Sequence, residues 1–242
     1  MAFTRPRAIC GTAGLVLIAA TALAQAPPAS IPQALTAAQI VERMLSHSQT
    51  QTAELKHYQN TRHYQVEYRG FGTAIVAAME VEVNYDAATG PTYRIKSQSG
   101  SKLLCDKVLK KAVDSEKEAS HDKAANSLTP ANYNFELAGT DTLDGRADYI
   151  LKVEPKTPSK FLYRGKVWVD AADFAVTKIE SEPSKNPSFW ILRPQIHFSS
   201  AKVGAYWLPQ ANRSESKVRV GGTATLTIDY GAYQFGDQAH GN

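Results

Sequence analysis

Along most of this chain apolar and polar residues alternate with period two, the pattern of strands with one buried face. In the stretch Asp144 to Glu182, Tyr149, Leu151 and Val153 alternate with Asp148, Lys152 and Glu154. Pro155 and Pro158 then break the ladder, because proline cannot donate to it. Phe161, Tyr163, Val167 and Val169 resume the apolar side opposite Arg164, Lys166 and Asp170. The tip Asp170 to Asp173 reads as a turn, since aspartate side chains bond nearby backbone amides, and Val176 to Ser181 returns as a third antiparallel strand.

Upstream, Thr36 and Gln39 fit a capping box, and Ile40, Val41, Met44 and Leu45 follow at helical spacing. A helix is predicted from Thr36 towards Ser48, with continuation to Tyr58 open. Strands begin at Thr61: Tyr64, Val66 and Tyr68 share one face, as do Met79, Val81, Val83 and Tyr85, then Tyr93 and Ile95. Between Lys102 and Leu128 the period changes to a helical stripe of Leu104, Cys105, Val108, Leu109, Ala112 and Val113, ended by Pro130. Glu116, Glu118 and Asp122, beside lysines, read as a solvated face of that helix. Downstream, strands are predicted at Trp190 to Ser199, Ala205 to Pro209, Lys217 to Val220 and Thr223 to Tyr230.

Roughly ten or eleven such strands make a sheet about 48 Å wide at ~4.8 Å per strand, whereas two helices of ~10 Å cover less than half of it. The expected fold is therefore mainly β (α+β): a curved antiparallel sheet forming a half-open barrel, with two or three helices plugging the concave side. The uncovered apolar face requires curling, closure or a hollow for a ligand. The strand parities place Tyr85, Tyr149, Leu151, Val167, Val169, Ile196, Leu226 and Ile228 on the wall of that hollow, with Val108 and Leu109 in its lid. An outer-membrane barrel would also alternate, but the charged helix from Lys102 and the polar tail after Phe235 fit it poorly.

Arg5 and Arg7, the apolar run Ile9 to Leu23 and the Ala24-Gln25-Ala26 step read as a cleaved secretory signal over residues 1–26. Residues 27–35 are a proline- and alanine-rich tether, and 36–242 a single domain. Of the 242 residues' net charge of +4, Arg5 and Arg7 carry two, so the exported chain keeps +2 and gives no support for nucleic-acid binding. Cys10 leaves with the signal, and Cys105 stands alone in an apolar stripe, as an inert buried thiol would. The expectation is a soluble, monomeric periplasmic protein.

The order of signal, short helix, strands, lone amphipathic helix, GRADYILKVEPK, FLYRGKVWVD, FAVTKIESE and then AYWLP resembles the outer-membrane lipoprotein-sorting (LolA/LolB-like) superfamily. Its most specific pieces are Val167-Trp168-Val169-Asp170 and Trp207-Leu208-Pro209. The resemblance implies a half-open barrel whose cavity accepts acyl chains of lipids or lipoproteins, for transport or sorting towards the outer membrane. Its second implication, ranked after the first, is an envelope sensor or assembly partner docking on an inner- or outer-membrane protein. No position is matched to the carrier's functional arginine.

Catalytic motifs are weak. Ser99 with Lys102 and Ser214 with Lys217 match S-x-x-K, but no S-D-N or K-T-G accompanies them, so a serine hydrolase at Ser99 is the third and least supported alternative. His47, His57, His63, His121, His197 and His240 show no metal-ligand spacing. No phosphate-binding or dinucleotide loop is present. The expectation is a non-enzyme without cofactor or metal.

Overall fold

In the computed structural model the described residues are 35–236 other than 71 and 187. The chain divides at residue 34 into two units, of which the second, from Leu35, holds the described residues. Residues 1–26, expected to be a signal, and residues 27–34 of the expected tether lie outside the described residues. Leu35, assigned to the tether, packs against the core.

Helix α1 (Ala37–Glu54) starts at the expected capping box: Thr36 Oγ1 accepts from the Gln39 amide, and Gln39 accepts from the Thr36 amide at 2.9 Å. Its buried residues are Ile40, Val41 and Met44, each worth about 2 kcal/mol of gross burial. Ten strands follow: β1 (His57–Arg69), β2 (Ile75–Asp86), β3 (Gly90–Gly100), β4 (Tyr133–Leu143), β5 (Arg146–Pro155), β6 (Tyr163–Asp170), β7 (Val176–Pro183), β8 (Ile191–Val203), β9 (Tyr206–Val218) and β10 (Thr223–Tyr230). Between β3 and β4 lie α2 (Lys102–Leu104), a π-helical turn (Cys105–Leu109), α3 (Lys110–His121) and α4 (Lys123–Asn126).

All strands join one antiparallel sheet in the order β3-β2-β1-β10-β9-β8-β7-β6-β5-β4. The sheet curves but does not close, so β3 and β4 are free edges bridged by the helical insertion. Irregular registers at Glu80/Val81, Leu137/Gly139, Trp168/Val169, Leu192/Gln195 and Ser199/Ser200 are the bulges that bend it. At Gly165, with φ +150°, an added Cβ would lie 2.2 Å from the Glu180 carbonyl, so only glycine lets β6 pass β7 there.

Three details differ from the sequence reading. Strand β4 has no counterpart among the predicted strands, because Gly139 and its bulge cut short the Tyr133, Phe135, Leu137 alternation. The segments Ala205 to Pro209 and Lys217 to Val220 are largely one continuous strand, β9, whose concave parity carries Asn212, Ser214 and Ser216 instead of apolar residues. Phe161 precedes β6 instead of opening it.

Two cores sit on the concave face, one per wing. Tyr64, Val66, Met79, Val81, Val83 and Ile228 pack under Cys105, Leu109 and Val113. Tyr133, Leu151, Val153, Val167 and Val169 pack under Ile40, Val41 and Met44 of α1.

Candidate functional site

Between the wings run β7 to β10, roughly 19 Å of sheet at ~4.8 Å per strand. Register pairs Ile179 with Phe198, Ser181 with Ile196, Ile196 with Ser214 and Phe198 with Asn212. It also pairs Ser214 with Leu226 and Asn212 with Ile228, so these side chains share the concave face. Ile179 leans on the α1 core and Leu226 on the other. Ile196 and Phe198 belong to neither core and stay partly exposed. The result is a trough with apolar walls and a floor interrupted by Asn212, Ser214 and the buried Ser181 and Ser216.

At one end the trough meets a hollow of about 210 Å³ between α1 and β7 to β9, bordered by Met44, His47, Phe174, Val176, Phe198 and Pro209. Gln51 closes it: its side-chain amide accepts from the Trp207 amide at 2.8 Å and donates to the Trp207 carbonyl at 2.9 Å. The Trp207 indole donates to Asp173 at 2.8 Å, where Lys202 also binds at 2.7 Å. Lys202 and this indole hold the Asp173 carboxyl below its ordinary range.

Beneath α3 the concave face of β1 carries a buried ion pair. Arg62, 6% exposed, donates to Glu116, which also accepts from the Tyr64 hydroxyl at 2.7 Å. The guanidinium lies over the rings of Tyr230 and Tyr93, 4.8 and 5.6 Å from their centroids. Burial works against the Arg62 charge, and Glu116 with the surrounding tyrosines more than offsets it, so Arg62 stays well above its ordinary value. Burial pushes Glu116 up, with Arg62 and Tyr64 pulling it partly back. It also raises Tyr58, Tyr64, Tyr93, Tyr230 and Tyr233, which remain protonated. Glu116 is therefore not on a solvated helix face: α3 turns it inward, while Glu118 bonds Lys160 at 2.8 Å near the surface.

The sequence-predicted cavity residues all lie on the concave parity but do not form one group. Leu151, Val167 and Val169 are fully packed beneath α1. Leu109 and Ile228 are buried in the other core, with Val108 and Leu226 partly buried against it. Tyr149 stacks on Phe174, and Tyr85 stacks on Tyr58 at 4.9 Å beside the ion pair. Of the set, Ile196 alone faces the trough outside both cores. Sequence reasoning does not single out Arg62, although it shares the parity of Tyr64 and Val66, because a lone charge near a strand's start reads as exposed until its partner is known.

On the convex face, Asp148 stands opposite Asp141 on one side and Asp170 on the other. It is 1% exposed, its Oδ1 accepts from Thr177 at 2.6 Å, and its Oδ2 has no protein partner. Burial, with Asp170 and Asp141 adding to it, raises its pKa. The native state therefore binds this proton more tightly than the unfolded chain, and stability falls as pH rises from the ordinary aspartate range through the raised value. Asp148→Asn is expected to raise the melting temperature at pH 7 and to lose that gain below about pH 4, the unperturbed aspartate value. Equal gains at both pH values in thermal melts would reject the assignment.

Among the described residues no helix is long and apolar enough to cross a membrane. No family model matches the chain, and no curated protein matches it. Among solved structures it is similar to a LolA superfamily protein from Nitrosomonas europaea, at 11% identity and TM-score 0.39, covering 84% of this chain and 95% of that one. A DUF1329 family protein from Desulfovibrio piger aligns at 13% identity and TM-score 0.43 over 85% and 95% of the two chains. An outer membrane lipoprotein-sorting protein domain from Vibrio parahaemolyticus aligns at 12% and 0.42 over 83% and 95%. The superfamily named from the sequence pattern is thus among the structures this chain is similar to. At these values the likeness carries nothing about function.

Proposed function

We propose that this is a periplasmic binding or carrier protein that holds acyl chains of lipids or lipoproteins in the trough, for transport or sorting towards the outer membrane. The observation that carries the reading is the partial exposure of Ile196 and Phe198 between two otherwise covered cores. Apolar side chains left uncovered in a concave surface favour an apolar guest. The polar floor residues Asn212, Ser214 and Ser216 supply hydrogen-bonding groups where an ester or amide could lie.

Each buried methylene contributes about 0.8 kcal/mol, so ten give roughly 8 kcal/mol before ordering costs. Delipidated protein is expected to take up a fluorescent fatty-acyl probe saturably, with a Kd of micromolar order that depends on chain length and little on salt. Leu151→Trp and Val169→Trp would overpack the core under α1, so the informative changes are Ile196→Trp and Leu226→Trp. Displacing two methylenes from the trough should weaken binding about tenfold. A titration without saturable uptake by wild type rejects the reading, as does an affinity unchanged in both variants. The second reading, docking on a membrane protein, has the free and largely exposed edge β3 in its favour, where an added strand could pair. Stoichiometric co-purification with such a protein, without acyl uptake, would select it.

A further inference from the structure

One end of the sheet gathers exposed apolar side chains on loop tips that hydrogen bonds tie together. In the β7–β8 loop, Phe189 and Trp190 are 66% and 55% exposed and meet edge to face, 5.3 Å between centroids. Arg219, in the β9–β10 turn, donates from its amide to the Trp190 carbonyl at 2.9 Å and from Nε to the Phe189 carbonyl at 3.0 Å. Its guanidinium lies 4.2 Å from the centre of the Phe189 ring. Val220, next in that turn, is 63% exposed. The turn in turn rests on β1: the Tyr68 hydroxyl donates to the Gly221 carbonyl at 2.9 Å. Opposite Tyr68 stands Ile75, exposed like its neighbour Val76, and the Val76 carbonyl accepts from the Ser101 amide at 2.9 Å, two residues before the exposed Leu103.

Burying the two aromatics against the protein would be favourable by a few kcal/mol, yet both rings stay exposed on a loop tip whose carbonyls Arg219 ties down. Side chains fixed in water in this way have a partner elsewhere. The charge pattern says which kind. The segments 69–76, 101–103, 184–190 and 219–222 contain Arg69, Lys102, Lys185 and Arg219 and no aspartate or glutamate. Of these cations Arg69 is paired, with Glu67 at 2.7 Å. The opposite end of the sheet instead carries Asp86, Asp144 and Asp173 at its turns. A tryptophan and a phenylalanine on separate tips, interleaved with cations, suit the interface of a bilayer with anionic headgroups, where rings sit at headgroup level and basic side chains meet phosphates.

We propose that this rim is a membrane-docking surface, on which the protein sits on an anionic lipid bilayer through Phe189, Trp190 and Val220, with Arg219, Lys185 and Lys102 facing the phosphates. The proposal is independent of the trough and its guest.

The test is co-sedimentation of the full purified protein with vesicles of phosphatidylcholine alone or with phosphatidylglycerol, together with tryptophan emission. Binding is expected to the anionic vesicles, to weaken at high salt, and to shift Trp190 emission to shorter wavelength. F189S/W190S should lose at least tenfold in affinity, and R219A about fivefold, the share of one basic residue near a charged surface. Both variants should melt as wild type does and take up the acyl probe unchanged, which separates this proposal from the trough. Absence of vesicle binding by wild type would overturn it, as would binding equal in F189S/W190S. A concentration-dependent dimer abolished by F189S/W190S, without vesicle binding, would instead assign the patch to a second copy of this chain.

Discussion

Glu116→Gln is expected to cost the fold about 3 kcal/mol, the lower end for breaking a buried ion pair, because the Glu116 side chain keeps 23% exposure. Glutamine preserves the shape and can still accept from the Tyr64 hydroxyl, so the loss isolates the charge. Arg62 would be left buried on the concave face of β1 among Tyr93, Tyr230 and Tyr64 without a counter-ion. For a domain of this size that corresponds to a melting temperature lower by roughly 6–12 °C. The double variant Arg62→Met/Glu116→Leu removes both charges and should recover most of the loss, since a well-packed apolar pair avoids desolvation. A Glu116→Gln protein melting within a degree of wild type would show that water, and not Glu116, satisfies Arg62. A double variant no better than the single would show that the pair matters through shape alone.

Val81→Glu is expected to be the most damaging single change on the sheet, about 4 kcal/mol or more, enough to unfold most of the protein at 37 °C. Val81 is fully buried on the concave face of β2, in the core beneath Leu109 and Val113. A carboxylate there would stand directly opposite Arg62, whose charge Glu116 already takes, so two carboxylates would crowd one guanidinium inside a packed core. The alternative, protonation, costs stability at neutral pH. The control is Asn84→Lys, on the convex parity of the same strand and exposed, which should stay within about 0.5 kcal/mol. Glu82, the obvious convex neighbour, is a poorer control. It takes two bonds from Arg94 Nη2, at 2.7 and 3.0 Å, and one from Lys96 at 3.4 Å, so Glu82→Lys would set three cations together. Urea melts that ranked Asn84→Lys with Val81→Glu would mean the register of β2 is wrong by one residue.

Local periodicity determined much of this protein. Which side of each strand is buried follows from a backbone geometry that points successive side chains to opposite faces, and Tyr64, Met79, Val81, Leu151 and Val167 lie where that rule puts them. The start of α1 is equally local, because Thr36 and Gln39 bond each other's amides within one turn. The turn at Asp170 is too: its carboxylate accepts from the Ala172 amide at 3.0 Å. Even the apolar stripe of Cys105, Leu109 and Val113 survives a π-helical turn. Residues 1–34 carry their pattern in sequence alone.

Only the tertiary structure decided how the concave face is divided. Pairing of β10 with β1 and the bridging of free edges β3 and β4 by helices split one apolar face into two cores and a trough. The same parity therefore buries Leu151 completely and leaves Ile196 partly open, a distinction set by where α1 lies and not by either residue's neighbours in sequence. Glu116 and Arg62, 54 positions apart, look like ordinary surface charges until α3 is laid across β1. Trp190 and Val220 likewise read as the ends of predicted strands, and Phe189 as their neighbour, until Arg219 binds two loops into one rim. Long-range pairing fixes each of these, and alternation along a strand carries no information about which distant segment will cover it.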